Sequence, residues 1–128
     1  RVLSGFPIAM NKNMLFDYIY VDDFARFLQM LLPQLPLADV SYNFCSGKPV
    51  SFVNLAESIK KVMSVKTDIL IKNEGMNPEY SGDPSKLLSQ FPEYRFTSYE
   101  ENIIKLVDFY KKTLTKDDID IFKGALSE

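Results

Sequence analysis

Apolar residues recur along the chain at two spacings, and the switches between them define the predicted elements. Residues 16–21 hold Phe16, Tyr18, Ile19, Tyr20 and Val21, types that suit a strand. The spacing then changes. Phe24, Phe27, Leu28 and Leu31 fall at i, i+3, i+4 and i+7, which predicts a helix with one apolar face. Asp22 or Asp23 is expected to cap it, because a carboxylate there accepts from free backbone N–H groups and meets the positive helix end. Pro33 and Pro36 are expected to end it.

Residues 42–45 are a second strand candidate, followed by a turn at Ser46-Gly47-Lys48-Pro49. Ser51 is placed to cap the next helix, whose buried face is Phe52, Leu55, Ile59 and Val62. Lys60 and Lys61 lie near its C-terminal end, where positive charge is favourable. Residues 68–72 are a third strand candidate and 73–82 a loop. Asp83 and Pro84 read as N-cap and first residue of a short helix to about Gln90, closed by Pro92. Ser98 and Glu101 have capping-box spacing. After them Ile103, Leu106, Val107, Tyr110 and Leu114 form an i, i+3, i+4, i+7, i+11 stripe. Upstream, a turn at Gly5 leads into a short extended piece over residues 7–10. Residues 116–128 read as a polar tail with at most one more helical turn. The order is strand, helix, strand, helix, strand, helix, helix. It predicts a mixed α/β unit of short strands and about four helices.

Composition narrows the chemistry. The 128 residues suit one domain or a large piece of one, and 46% hydrophobic with 25% charged residues is ordinary for a globular chain. A net charge of −2 with interspersed signs gives no electrostatic case for nucleic acid or an anionic membrane. No apolar run is long enough to span a bilayer, and no signal-peptide pattern opens the chain. Its first residues, from Arg1, read as mid-domain sequence, so a piece of a larger protein is expected. The single cysteine, Cys45, excludes an intrachain disulfide and fits a reducing, cytoplasmic compartment. Histidine is absent, which removes Ser-His and Cys-His nucleophile systems and His-ligated zinc from this chain alone. The five glycines, at 5, 47, 75, 82 and 124, are too dispersed for a phosphate-cradling loop. No catalytic, cofactor-binding or metal-ligating residue is expected here.

Three segments carry more information together than alone. They are Asp17-Tyr18-Ile19-Tyr20-Val21-Asp22-Asp23-Phe24-Ala25, then Tyr42-Asn43-Phe44-Cys45-Ser46-Gly47-Lys48-Pro49-Val50-Ser51, then Gly82-Asp83-Pro84-Ser85-Lys86. In this order they resemble the C-terminal, substrate-binding part of the extended short-chain dehydrogenase/reductase family, which holds NAD-dependent nucleotide-sugar epimerases and dehydratases. The resemblance runs from about Gly5 to Leu114. It implies a substrate-binding domain over residues 1–115 and a tail over 116–128. It also implies a mechanism divided between two places. A Rossmann domain outside this chain would hold NAD or NADP and carry the family's Tyr-x-x-x-Lys pair. This chain would wall in a nucleotide-sugar, bind no cofactor itself and be inactive alone.

Implied substrate contacts are Pro7 and Ile8, in the family region that lies along the nucleotide base, with Tyr18, Asn43 and Lys86. Where many members place phosphate-binding arginines, this chain has Phe16 and the stretch Glu79-Tyr80-Ser81. Phenylalanine cannot replace arginine as a bidentate phosphate partner. Either Lys12 or Arg95 supplies the missing charge, or the substrate is different, or the N-terminal part outside this chain supplies the clamp. Each residue also has a plainer reading. Asp23 and Asp83 serve as caps, Lys86 is an exposed helix lysine, and Asn43 is a buried amide bonded to backbone. Tyr18 and residues 7–10 are packing, and Cys45 is a small buried apolar residue. Two rival classes stay open: a non-catalytic NAD(P)-fold relative acting as a binding or regulatory module, and a self-contained helical interaction domain. Loss of a covering Rossmann domain would leave apolar surface, so a homo-oligomer is also expected.

Overall fold

The structure, a computed structural model, describes residues 1–36 and 41–125. A 3₁₀ turn at Val2–Ser4 ends on Gly5, whose φ of 81° closes the turn. The elements that follow are β1 (Ile8–Met10), β2 (Leu15–Phe16), α1 (Val21–Leu31), β3 (Val50–Ser51) and α2 (Phe52–Met63). After these come β4 (Ile69–Ile71), α3 (Ser85–Gln90), α4 (Tyr99–Thr113) and α5 (Lys116–Ala125). β1 pairs parallel with β4, Ile8 opposite Ile69, and β2 pairs antiparallel with β3, Leu15 opposite Ser51. The unit is mixed α/β, as expected. No described helix is long and apolar enough to cross a membrane.

The core is largely aromatic. Phe27 of α1, Leu87 of α3, Phe91 and Tyr94 are buried together, and Tyr42, Phe44 and Phe96 pack against them. Phe27 meets Phe44, Phe91 and Tyr94 at ring-centroid distances of 5.0, 5.1 and 5.2 Å, two of the three edge-on. Edge-to-face contacts set the ring positions as well as removing apolar area from water. Of the predicted α1 face, Phe27 is buried, whereas Phe24 stays half exposed with its ring edge-on to Phe44.

α2 and α4 pack on each other, and their caps follow the sequence. The Ser51 hydroxyl accepts from Asn54 N–H, and Ser98 and Glu101 form the full capping box. The α2 face and the α4 stripe predicted from spacing converge here, though of the named positions only Ile103 is buried, with Ala56 of α2 and Asn102 of α4 buried beside them. Leu55, Ile59, Met63, Leu106, Val107, Tyr110 and Leu114 instead line an open apolar groove of about 540 Å³.

Several expectations need correction. The strand over 16–21 is only Leu15–Phe16: past Phe16 the Asp17 N–H turns to the Tyr80 carbonyl, and its carboxylate is taken by the Ser46-Gly47 turn. Val21 already belongs to α1. Tyr20 is its N-cap, without a side-chain bond, and Asp22 and Asp23 lie inside the first turn. Residues 42–45 are no strand. Their backbone has no backbone partner among the described residues, yet Tyr42 and Phe44 still point into the core. Asp83 is not the N-cap of α3. Pro84 is, and the Asp83 carboxylate accepts the Ser85 N–H at 2.9 Å from outside the helix.

The predicted tail contains a ten-residue helix, α5, which makes five α-helices among the described residues. Thr115 and Asp118 start it with reciprocal bonds: Asp118 N–H to the threonine hydroxyl, and Thr115 N–H to the carboxylate. Residues 126–128 of that tail lie outside the described residues.

Candidate functional site

The three motif segments, far apart in sequence, meet at the Ser46-Gly47 turn. Asp17 follows β2, and its carboxylate accepts the Ser46 hydroxyl and, at 2.7 Å, the Gly47 N–H. Gly47 has φ 70°, which favours glycine, and a Cβ on it would lie 2.9 Å from two ring carbons of Pro84. Next to it, the Asn43 amide donates to the Asp83 carbonyl at 3.3 Å. Cys45 packs on Gly82, where an added Cβ would come within 2.8 Å of its sulfur. The turn therefore fits closely on the Gly82–Ser85 corner. Tyr99, the first residue of α4, ties in a fourth element by donating its hydroxyl to the Lys48 carbonyl.

Two hollows open beside this junction, with Tyr18 on the wall of each. One, about 410 Å³, is lined by Tyr18, Ser46, Lys48, Arg95, Thr97 and Tyr99 among others. The other, about 310 Å³, is lined by Ile8, Met10, Asn11, Tyr18, Phe52 and Ile59 among others, and is mainly apolar. The first offers hydroxyls, two cations and the carboxylates of Asp23 and Glu100; the second offers two rings and aliphatic surface. Burial, and the neighbouring Tyr99, raise the Tyr18 pKa above its usual value. Burial also raises that of Tyr99, against the lowering effect of Ser46, with Asp17 adding to the rise. Both phenols therefore keep their protons at neutral pH and present hydrogen-bond donors.

The polar hollow is backed by a buried carboxylate. Asp23 is 1% exposed. It accepts from Arg26 at 2.7 Å, from the Thr97 N–H at 3.1 Å and from the Thr97 hydroxyl. Tyr94 donates to its backbone carbonyl. The predicted cap role does not describe it: Asp23 fastens α1 to the strap that precedes α4 and lies on the wall of the polar hollow. Burial without ruin requires such pairing.

The predicted contact residues fall into groups. Ile8 and Tyr18 share the apolar hollow, and Tyr18 and Arg95 share the polar one. Pro7 lies just outside, its carbonyl accepting from the Arg1 guanidinium. Lys12 runs along Gly75, its Cε 3.3 Å from where a Cβ there would sit. Asn43 and Lys86 line neither hollow. Asn43 is exposed rather than buried, and Lys86 sits over the Tyr42 ring at 5.2 Å. Arg95 is engaged by carbonyls, donating to Pro92 and Tyr94. Sequence reasoning missed Asp17, Ser46, Thr97 and Tyr99. Asp17 carried a signal, a carboxylate directly after an apolar strand, but its partners lie too far along the chain for spacing to reveal them.

No family model and no curated protein matches the chain. Solved structures do match its fold. The Bordetella bronchiseptica enzyme WbmH, in complex with NAD+, superposes with TM-score 0.70 and 20% identity over 88% of this chain. The dTDP-glucose 4,6-dehydratase of Bacillus anthracis, in complex with NAD, gives TM-score 0.69 and 21% identity over 88%. RMD of Pseudomonas aeruginosa, complexed with NADPH, gives 0.63 and 16% over 82%. The chain spans 38%, 37% and 37% of those three chains. It therefore has the fold of a part of these nicotinamide-cofactor-bound proteins, which is the fold class that the resemblance implied.

Proposed function

We propose that the chain is the substrate-binding portion of an NAD(P)-dependent enzyme that remodels a nucleotide-linked sugar as an epimerase, dehydratase or reductase. The observation that carries this reading is the junction at Ser46-Gly47. Three motif segments separated in sequence close there into one surface with two hollows, in a fold shared with three cofactor-bound structures. A wall of this kind supplies binding and orientation, while the nicotinamide supplies the hydride step when bound.

The dispersed glycines of this chain do not fit a dinucleotide turn, so cofactor and proton-transfer pair are assigned to a separate Rossmann domain of the same protein. In this reading residues 1–115 are the substrate domain. Ile8 and Tyr18 flank the nucleotide, Arg95 meets its charge, and Pro7, Lys12, Asn43 and Lys86 frame the entrance. The protein works in the cytoplasm, and the isolated chain self-associates through the apolar groove between α2 and α4.

The test is a titration of the chain with UDP- and dTDP-sugars, with NAD and NADP supplied. Expected are NMR shifts at Tyr18 and Tyr99 without turnover, and turnover by the longer protein. Turnover by the chain alone, or no shift at either tyrosine, overturns the reading. One observation favours a second reading, a non-catalytic binding module. Phe16 and the stretch Glu79-Tyr80-Ser81 stand where many members of the resembled family place phosphate-binding arginines. Ligand binding by the longer protein without any cofactor turnover would select it.

A further inference from the structure

The loop after β4 returns to β2 and brings Tyr80 beside Phe16. Tyr80 N–H donates to the Leu15 carbonyl and Asp17 N–H donates to the Tyr80 carbonyl, each at 3.0 Å, a one-residue parallel bridge. The backbone thus holds the two side chains in register. Their rings stack, with centroids 5.0 Å apart and planes 23° from parallel. Phe16 continues to Tyr18 at 4.8 Å, and Tyr18 to Phe52 at 6.1 Å. Four rings therefore touch in succession from the surface to the wall of the apolar hollow. Phe16 is half-buried inside this row, whereas Tyr80 at its outer end is 69% exposed.

The chain neighbours of the outer pair are acidic. Asp17 follows Phe16, Glu79 precedes Tyr80, and Asp83 stands three residues on. No lysine or arginine occurs within three residues of either ring. A phosphate placed here would meet aromatic faces, which disfavour an anion, and no basic neighbour in the chain. A flat uncharged ring would meet a surface of matching shape, at a stacking gain of about 1–3 kcal/mol per ring.

We infer that Phe16 and Tyr80 form a stacking shelf for an uncharged ring of the ligand, a nucleobase or a pyranose, and do not grip its phosphates. This deepens the reading above and rests on it. The phosphate load then falls on the polar hollow with Lys48 and Arg95.

NMR of the aromatic rings in the 128-residue chain tests this with three probes: uridine, methyl glucoside and inorganic pyrophosphate. Uridine or methyl glucoside should shift Tyr80 and Phe16, and which one does so identifies the ring. Tyr80→Ala should weaken that binding about 5-fold or more, and Tyr80→Phe should retain it. Pyrophosphate should leave both rings unmoved. Saturable shifts of Tyr80 by pyrophosphate, binding of the neutral rings unaffected by Tyr80→Ala, or no response to either neutral ring would overturn the inference. A UDP-sugar that moves Tyr18 and Tyr99 but not Tyr80 would sink the shelf alone. Silence at all of these would sink the substrate-binding reading as well.

Discussion

Asp23, buried in the first turn of α1, takes hydrogen bonds from both the N–H and the hydroxyl of Thr97. One carboxylate thus holds the strap before α4 at two points, and Arg26 neutralises it from the solvent side. Asp23→Ala would leave a half-buried N–H and hydroxyl without partners. It should cost about 2–4 kcal/mol in urea unfolding. Thr97→Val, which keeps the N–H bond, should cost about 1–2 kcal/mol. Equal losses for the two would show that the hydroxyl bond carries the whole effect and that the carboxylate's charge and its bond to the Thr97 N–H add nothing.

Gly47→Ala should destabilise by about 1–3 kcal/mol, because it adds a close contact with Pro84 to an unfavourable φ. Gly5 has a similar φ, and nothing lies within 4 Å of where its Cβ would be. Gly5→Ala should therefore cost only the backbone part, about 1 kcal/mol. The difference between two thermal melts isolates the fit of the turn against the Gly82–Ser85 corner.

Acid should loosen the helix starts. Hydrogen bonds from Ser85 hold the Asp83 pKa below its usual value, those from Ser98 do the same for Glu101, and those from Thr115 for Asp118. A group depressed in the folded state contributes stability above its unfolded pKa and loses it as pH falls through the folded one. Stability should thus decline from about pH 5 downward. Glu101→Gln and Asp118→Asn should each flatten that decline in urea titrations at stepped pH. An unchanged slope would remove these carboxylates from the account.

Cys45 should react slowly. Burial raises its pKa, with Asp17 and Asp83 adding to the rise against a bond from the Gly47 backbone. Only the thiolate attacks. Iodoacetamide labelling should therefore lag a free thiol at pH 8 and keep rising beyond about pH 9. A plateau below that pH would contradict the placement of the sulfur against Gly82.

The amides of residues 42–45 should exchange with deuterium quickly although Tyr42 and Phe44 pack on the core. Their backbone has no backbone partner among the described residues. Protection comparable to that in α2 or α4 would mean that a strand pairs with this segment in solution.

Much of the fold was legible because its signals are local. The caps at Ser51 and Ser98, the α2 and α4 faces and the turn at Gly47 each depend on residues within one turn of one another. The errors arose where distant partners decide. Strand 16–21 shortens because Asp17 bonds to Tyr80 and to the Ser46-Gly47 turn, partners no local pattern contains. Asp23 looked like a cap because its real partner is Thr97. The α5 helix is a different case. Thr115 and Asp118 have capping-box spacing, so the signal was present and the polar composition around it masked it. The site divides the same way. Tyr18 could be picked from its motif, but the junction among Asp17, Ser46 and Gly47 exists only once the chain has folded.

The parallel pairing of β1 with β4 has a kinetic consequence. Ile8 and Ile69 become neighbours only after α1, β3 and α2 have been placed between them. Closing so long a loop takes entropy before any contact rewards it. Helices α2 and α4 can gain structure early from their own caps, while this ribbon has to wait. Refolding should therefore be gated by the arrival of β4, and a mutation there, such as Ile69→Ala, should slow folding more than it speeds unfolding.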